Sequence, residues 1–202
     1  MNHLNVFDTE TTGFPLFKEP SEHPDQPHLV DIAALLYDDL GNLVDSFEAI
    51  IKPDGWVIPD AAAAVHGITT EMAHDLGIAE ADAIEGFLAI HARAGLRVAH
   101  NLAFDDRILR IALMRYRGEE EANRFREGQG YCTCTNSTKL VQCPPTAKMI
   151  AAGRGKQFKQ PNLAEAYRFF TGEDLQGAHR AKADAEGCAR VYFAMQALQS
   201  VA

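Results

Sequence analysis

The segment Leu4-Asn5-Val6-Phe7 runs directly into Asp8-Thr9-Glu10. Side chains two apart on a strand share a face, so Leu4, Val6, Asp8 and Glu10 lie on one side of strand one. An apolar face that continues into two carboxylates constrains any fold built on it. Carboxylates held close together near a core repel one another and resist ionisation. A divalent cation removes that penalty, and oxygen donors suit Mg²⁺ or Mn²⁺. The plain alternative is a solvated strand end.

A second acid sits in a similar predicament near the other end of the chain. Asp184, Cys188, Val191, Met195 and Leu198 recur at steps of four and three, which marks one stripe of a helix. Asp184 therefore shares the face expected to pack on the sheet, where a bare charge is expensive. The alternative is a first-turn acid that caps the helix. His179, five residues earlier and beside Gly177, falls at the loop-to-helix junction, from which it could swing over a site that Asp184 helps to form. Asp105 follows His100-Asn101 near the start of another helix, and its position alone says little, because acids are common in a first turn.

The remaining pattern is α/β. Residues 14–28 hold four prolines and read as a long loop. Residues 29–37 and 43–51 are apolar strands, and Asp38-Asp39-Leu40-Gly41-Asn42 between them carries turn chemistry, which predicts a hairpin. Residues 53–67 read as irregular, 79–94 as an amphipathic helix, 96–99 as a strand, and 103–117 as a helix with Phe104, Ile108, Ile111 and Ala112 on its apolar side. Residues 117–130 are highly charged and expected to be exposed, and 131–135 read as a further strand. The last helices are expected at 162–170 and 180–199. A mixed central sheet flanked by helices, in one domain over residues 1–202, accommodates this order.

Composition narrows the function classes. No run of about 18 apolar residues is present, so no membrane span is expected. The start MNHLNVFDTE lacks a basic and then apolar leader, which points to the cytoplasm. Cys132, Cys134, Cys143 and Cys188 lack zinc-site spacing and are expected to be free thiols. The net charge of −9 argues against a protein that coats DNA, though not against one that grips a strand end and lets bound cations supply the positive charge.

Taken together, four segments resemble the DEDDh family of 3′–5′ exonucleases. Phe7-Asp8-Thr9-Glu10-Thr11-Thr12-Gly13 is similar to its first motif, and His100-Asn101-Leu102-Ala103-Phe104-Asp105 to its second. His179-Arg180-Ala181-Lys182-Ala183-Asp184-Ala185 is similar to its third, and Val65-His66-Gly67-Ile68-Thr69 matches a segment usual between the first two. The resemblance implies a ribonuclease H-like fold and release of 5′-mononucleotides from 3′ ends. It assigns Asp8, Glu10, Asp105 and Asp184 to two divalent metal ions, Mg²⁺ or Mn²⁺, and His179 to the general base that takes a proton from the attacking water. Thr11 and Thr12, His66, Asn101 and Phe104 become candidate substrate contacts. For Phe104 a core role is the alternative, and for Asn101 a bracing or capping role. Arg154, Lys156 and Lys159 could meet phosphates, or form a solvated basic loop.

The chain departs from the commoner family pattern in its long 14–28 loop, in Asp31 where many relatives carry Glu, and around Cys134-Thr135. These departures bear on substrate choice. Single-stranded DNA is the expected substrate, with RNA processing in the manner of oligoribonuclease as the alternative. A DNA polymerase is a candidate partner for a proofreading or DNA repair role, and a homodimer a candidate assembly. Rival readings are another carboxylate-site phosphoesterase, such as a phosphatase or endonuclease, and a non-catalytic binding module on the same fold.

Overall fold

A computed structural model describes residues 3–199. The outermost residues of the expected 1–202 domain, 1–2 and 200–202, lie outside that range. The described residues form five strands, β1 Leu4–Thr11, β2 Leu29–Tyr37, β3 Leu43–Ile50, β4 Leu96–Ala99 and β5 Gly130–Cys132. They join in one sheet of order β3-β2-β1-β4-β5. The hairpin pairs antiparallel and β2 lies antiparallel to β1, whereas β4 and β5 run parallel to β1. The expected mixed α/β sheet is therefore present, with the acid-bearing strand at its centre.

The two faces of β1 go to different helices. Leu4 and Val6 pack with Val98, Cys188, Ala189 and Tyr192, the last three from α9 (Ala181–Gln199). Phe7, on the opposite face, packs among Ile84, Phe87 and Leu109, which belong to α3 (Glu80–His91) and α4 (Leu102–Tyr116). Its ring meets Phe87 edge-on at 5.5 Å, a favoured aromatic geometry. The α9 stripe is buried at Cys188, Val191 and Met195 but ends there, since Leu198 is 53% exposed. The helix has run beyond the sheet by that point.

Several segments differ from expectation. Residues 53–67 are not wholly irregular: α1 (Asp60–His66) forms there, followed by α2 (Thr70–Leu76). The alanine run favours helix, and Gly67 closes α1 at φ 75° with its N–H donating to the Ala63 carbonyl, a turn a side chain would strain. Residues 117–130 contain α5 (Glu119–Glu127), which buries Ala122 and Phe125 against the core. Its high charge concealed two apolar positions three apart. The strand expected at 131–135 stops at Cys132, where α6 (Thr133–Val141) begins, and α7 (Ala147–Ala151) interrupts the stretch after it. α8 (Leu163–Thr171) opens on a reciprocal Asn162–Glu165 capping box. The four cysteines are free, as expected, and no helix of the described residues is long and apolar enough to cross a membrane.

One buried carboxylate ties the long loop to the body. Glu80 accepts from the Leu29 amide at 3.1 Å, from Arg115 Nη1 at 3.1 Å and from the Tyr116 hydroxyl at 3.0 Å, and meets His28 Nδ1 at 2.7 Å. Arg115 also donates to the carbonyls of Gln26 and Pro27. Glu80→Ala leaves these donors facing a void, so it should lower the unfolding free energy by about 3 kcal/mol, read from the midpoint shift in urea.

Candidate active site

The acids of the first motif stand where β1 outruns its parallel neighbour. The β1–β4 ladder pairs Leu4 with Leu96 through Val6 with Val98. Beyond it, the Thr9 amide and hydroxyl both donate to Asp105 Oδ1, at 3.0 and 2.8 Å. The Asp105 carboxylate, on the first turn of α4, thus takes a backbone donor that the sheet no longer satisfies. That contact buries Asp105 to 3% exposure and locks α4 against the catalytic strand. Sequence reading left Asp105 without a physical argument; the bond to Thr9 supplies one.

Asp184 approaches from the other face. One of its oxygens, Oδ2, accepts the backbone N–H of His179 at 3.0 Å. The capping alternative is therefore partly correct, because Asp184 does satisfy an amide just ahead of α9. Its second oxygen, Oδ1, is buried with no partner. His179 is exposed and holds a left-handed backbone at φ 66°, and Asn101 does the same at φ 69°. Side chains with this backbone are uncommon outside tight turns and functional sites. The fold brings ligand atoms of Glu10, His179 and Asp184 within 4.8 Å of one another.

Burial raises every acid of the cluster. Asp8 is driven well above the ordinary carboxylate range by desolvation and then by Asp105, Asp184, Glu10 and Asp31. Glu10 is pushed up to about 7 by desolvation, Asp184 and Asp31, against a smaller opposing pull from Arg180. Desolvation likewise raises Asp105, opposed by its bonds from Thr9, and Asp184, opposed by His179. Hard oxygen donors, an orphaned buried oxygen and uncompensated negative charge fit a divalent cation.

Asp31 stood out in the sequence only as a departure from the family pattern and Arg180 not at all, yet the two are joined beside the acids. Asp31 lies opposite Glu10 in the β1–β2 register. Its Oδ2 accepts Arg180 Nε at 2.9 Å and the Ala181 amide at 3.2 Å, which pins the start of α9 to β2. A charged partner conserving this geometry has no periodic signature, and the two residues are 149 positions apart.

The expected substrate contacts divide. Thr12 Oγ1 accepts the His28 amide at 3.1 Å and Thr11 Oγ1 donates to the Gly13 carbonyl at 2.7 Å, so both hydroxyls serve the loop entry. His66 is buried, with Nδ1 accepting the Ile68 amide at 3.2 Å and Nε2 unpartnered. Burial lowers its pKa, and Asp31, Arg180 and His179 all act on it, which places it beside the cluster. Asn101 makes no side-chain cap bond, so the capping alternative fails; its left-handed backbone is what turns β4 into α4. Phe104 is half-buried, packs on the core and meets Phe14 edge-on at 6.0 Å. Phe14 itself is 82% exposed at the loop entry and was not among the expected contacts.

A pair of acids on a central strand, joined by acids from helices on both faces, defines a metal-dependent hydrolase of the mixed α/β class. The chain belongs to the exonuclease family RNase_T, which it matches over residues 6–192. No curated protein sequence gives a significant match. Among solved structures the fold is similar to exonuclease I, in a structure that suggests how processivity is achieved, with TM-score 0.72 and 18% identity over 98% of this chain. It is similar also to the zinc-bound complex of Escherichia coli exonuclease I with single-stranded DNA (TM-score 0.71, 17% identity, 99% of this chain). A complex of the same enzyme with a 5cy-dT13 oligonucleotide gives TM-score 0.72 at 17% identity, over 99% of this chain. The chain spans 41%, 41% and 42% of those proteins respectively. The likeness is one of fold, and with the family match it bears out the resemblance to DEDD-type exonucleases of the ribonuclease H-like superfamily.

The raised acids make metal-free stability depend on pH. A carboxyl whose folded pKa exceeds its unfolded one keeps its proton longer in the native state. Its contribution is therefore full below the unfolded value and lost as pH rises through the folded one. For Glu10 that window runs from 4.5 to about 7, and Asp8, Asp105 and Asp184 act in the same direction. In EDTA, the melting temperature should fall between about pH 5 and pH 8, and Glu10→Gln should flatten the fall. Saturating Mg²⁺ or Mn²⁺ at about a hundred times its Kd should restore roughly 5–10 °C at the higher pH.

Proposed function

We propose that the protein hydrolyses nucleic-acid phosphodiester bonds from the 3′ end and releases 5′-mononucleotides, with single-stranded DNA as the favoured substrate. The observation that carries this reading is the convergence of Glu10, His179 and Asp184 within 4.8 Å beside the half-buried Asp8 and the buried Asp105. Family membership and the fold shared with exonuclease I support it.

Asp8, Glu10, Asp105 and Asp184 would hold the divalent cations, Mg²⁺ or Mn²⁺. When bound, such ions stabilise the charge on attacking and leaving oxygens. The work of the chain itself is placement and proton transfer. His179 sits outside the buried acids, exposed and tethered through its amide to Asp184, where it can accept the proton of the attacking water. The Asp31–Arg180 pair fixes the turn that carries it. Asp105 holds the Thr9 backbone and so sets the height of Asp8 and Glu10. At the rim, Phe14 and Phe104 offer ring surface to a terminal base, and the backbone of Thr11 and Thr12 lies beside Glu10 for the terminal sugar. His66 and Asn101 line the site as positioning residues.

Incubation of 5′-labelled single-stranded DNA, duplex DNA and RNA of one sequence with Mg²⁺ or Mn²⁺ should give a ladder shortening from the 3′ end, fastest on single-stranded DNA. Cutting of closed circular DNA, or activity confined to phosphomonoesters, would overturn the reading. Asp184→Ala should abolish laddering while the far-ultraviolet dichroism stays native; laddering at the wild-type rate would refute the site.

His179→Ala separates base from ligand. Turnover should fall by about 10²–10⁴-fold while the metal-induced rise in melting temperature persists. Loss of that rise would make His179 a ligand, which its distance from Glu10 and Asp184 also permits.

A further inference from the structure

One stretch of this acidic chain carries positive charge and no acid. Residues 128–164 contain no Asp or Glu and carry Lys139, Lys148, Arg154, Lys156 and Lys159, within a protein of net charge −9. Of these five, Lys159 is paired with Glu165. The other four are exposed and form no ion pair among the described residues. Such a run could be a solvated loop, but here it is folded around a groove of about 920 Å³ between α6 and residues 149–160. The wall is built in. The Lys159 amide donates to the Cys143 carbonyl at 3.0 Å, and the Lys159 side chain anchors to the Glu165 of the capping box.

The groove presents three kinds of surface to one channel. Lys139 and Arg154 supply charge, Thr135, Asn136 and Gln157 supply neutral polar atoms, and Met149 and Phe158 supply apolar area. Phe158 is 44% exposed, although a ring of that size would normally be covered. Unpaired cations beside an exposed aromatic ring suit a polymer with a charged backbone and flat bases. An acidic peptide would use the cations and leave Phe158 idle.

The groove wall is also bonded to the segment that carries Asp105. Its Gln160 Nε2 donates to Thr135 Oγ1 at 3.5 Å. The next carbonyl, Pro161, lies 3.1 Å from His100 Nε2 and accepts Cys134 Sγ at 3.3 Å. His100 precedes Asn101 at the turn that carries Asp105. The other cationic cluster, Arg107 and Arg110, is already engaged with Ser21, the Glu19 carbonyl and Asn123.

We propose that this groove is a binding track for the phosphodiester backbone of a single-stranded nucleic acid, upstream of the 3′-terminal nucleotides held at the acid cluster. The proposal rests on the exonuclease reading for the direction of the strand. It accounts for how a chain with an overall negative charge would grip a polyanion: this wall carries cations and no acid.

The test is fluorescence anisotropy in Mg²⁺ with 5′-fluorescein dT20 protected by phosphorothioate linkages at its 3′ end. The wild type is compared with the exposed triple substitution Lys139→Gln, Arg154→Gln, Lys156→Gln. Kd should rise about tenfold or more, and the slope of log K against log salt should shrink by about 2, at ~0.7 per lost single-strand phosphate contact. An unchanged Kd and slope, or no binding by the wild type, overturns the groove. Hydrolysis of thymidine 5′-p-nitrophenyl phosphate reports on the acid cluster alone, because this ester is too short to reach the groove. The triple variant should retain the wild-type rate; a matching loss would mean that the substitutions act on the acids, and would overturn the proposal. If the wild type hydrolyses neither this ester nor unprotected dT20, the exonuclease reading fails, while anisotropy still decides the groove.

Discussion

Mutual repulsion among carboxylates at the end of β1 is the constraint around which the rest of the molecule is arranged. Asp8, Glu10, Asp105, Asp184 and Asp31 lie close enough that several raise one another's pKa. Only part of that charge is answered within the protein. Thr9 donates twice to Asp105, the His179 amide donates to Asp184, and Arg180 pairs with Asp31. Asp8 and Glu10 receive no comparable partner, and one oxygen of Asp184 is buried without any. A protein that keeps such an arrangement gives up stability in its metal-free form, and that deficit would favour a hard cation bound there.

The scaffold holds the acids in place by making each helix end a tether to the sheet. α4 is fixed through Asp105 to Thr9, and α9 through Arg180 and the Ala181 amide to Asp31. The long loop after the first motif is not loosely attached. The buried side chain of Gln26 bonds Leu16 at both its amide and its carbonyl, as well as the Pro20 carbonyl. Arg107 and Arg115 fasten the same loop to α4, and Glu80 gathers Arg115, Tyr116 and His28 beneath it. Phe14 and Phe17 are left exposed at 82% and 66% on this ordered support. The loop thus holds exposed rings on a fixed support, Phe14 against Phe104. Rings and acids share one foundation, because both Asp105 and the loop anchors come from α4.

Charge is partitioned on a larger scale as well. The acids occupy the end of the central strand, and the unpaired cations of residues 139–156 occupy the wall beyond β5. Exonuclease I shares the fold at 17–18% identity, and this chain spans less than half of it. The proposed track along the basic groove lies within this span.

Much of the site was legible because it obeys periodicity. Leu4, Val6, Asp8 and Glu10 share a strand face by the two-residue repeat, and Asp184 shares a helix stripe with Cys188, Val191 and Met195, so their convergence followed from local geometry. The hairpin, β4 and the long helices were readable for the same reason. Less was readable where a short element depends on its surroundings. α5 looked like exposed charge because only Ala122 and Phe125 face inward, and β5 lost its expected last residues to α6 because Cys132 caps that helix. The tertiary structure alone decided three things: that Asp105 bonds Thr9, that Asp31 pairs with Arg180, and that Phe14 meets Phe104. Each is a contact between residues distant in the chain, and no local repeat encodes which distant partner a side chain will meet. The sequence by itself determined which acids face the core side of their elements; folding determined how close they come and which of them remain uncompensated.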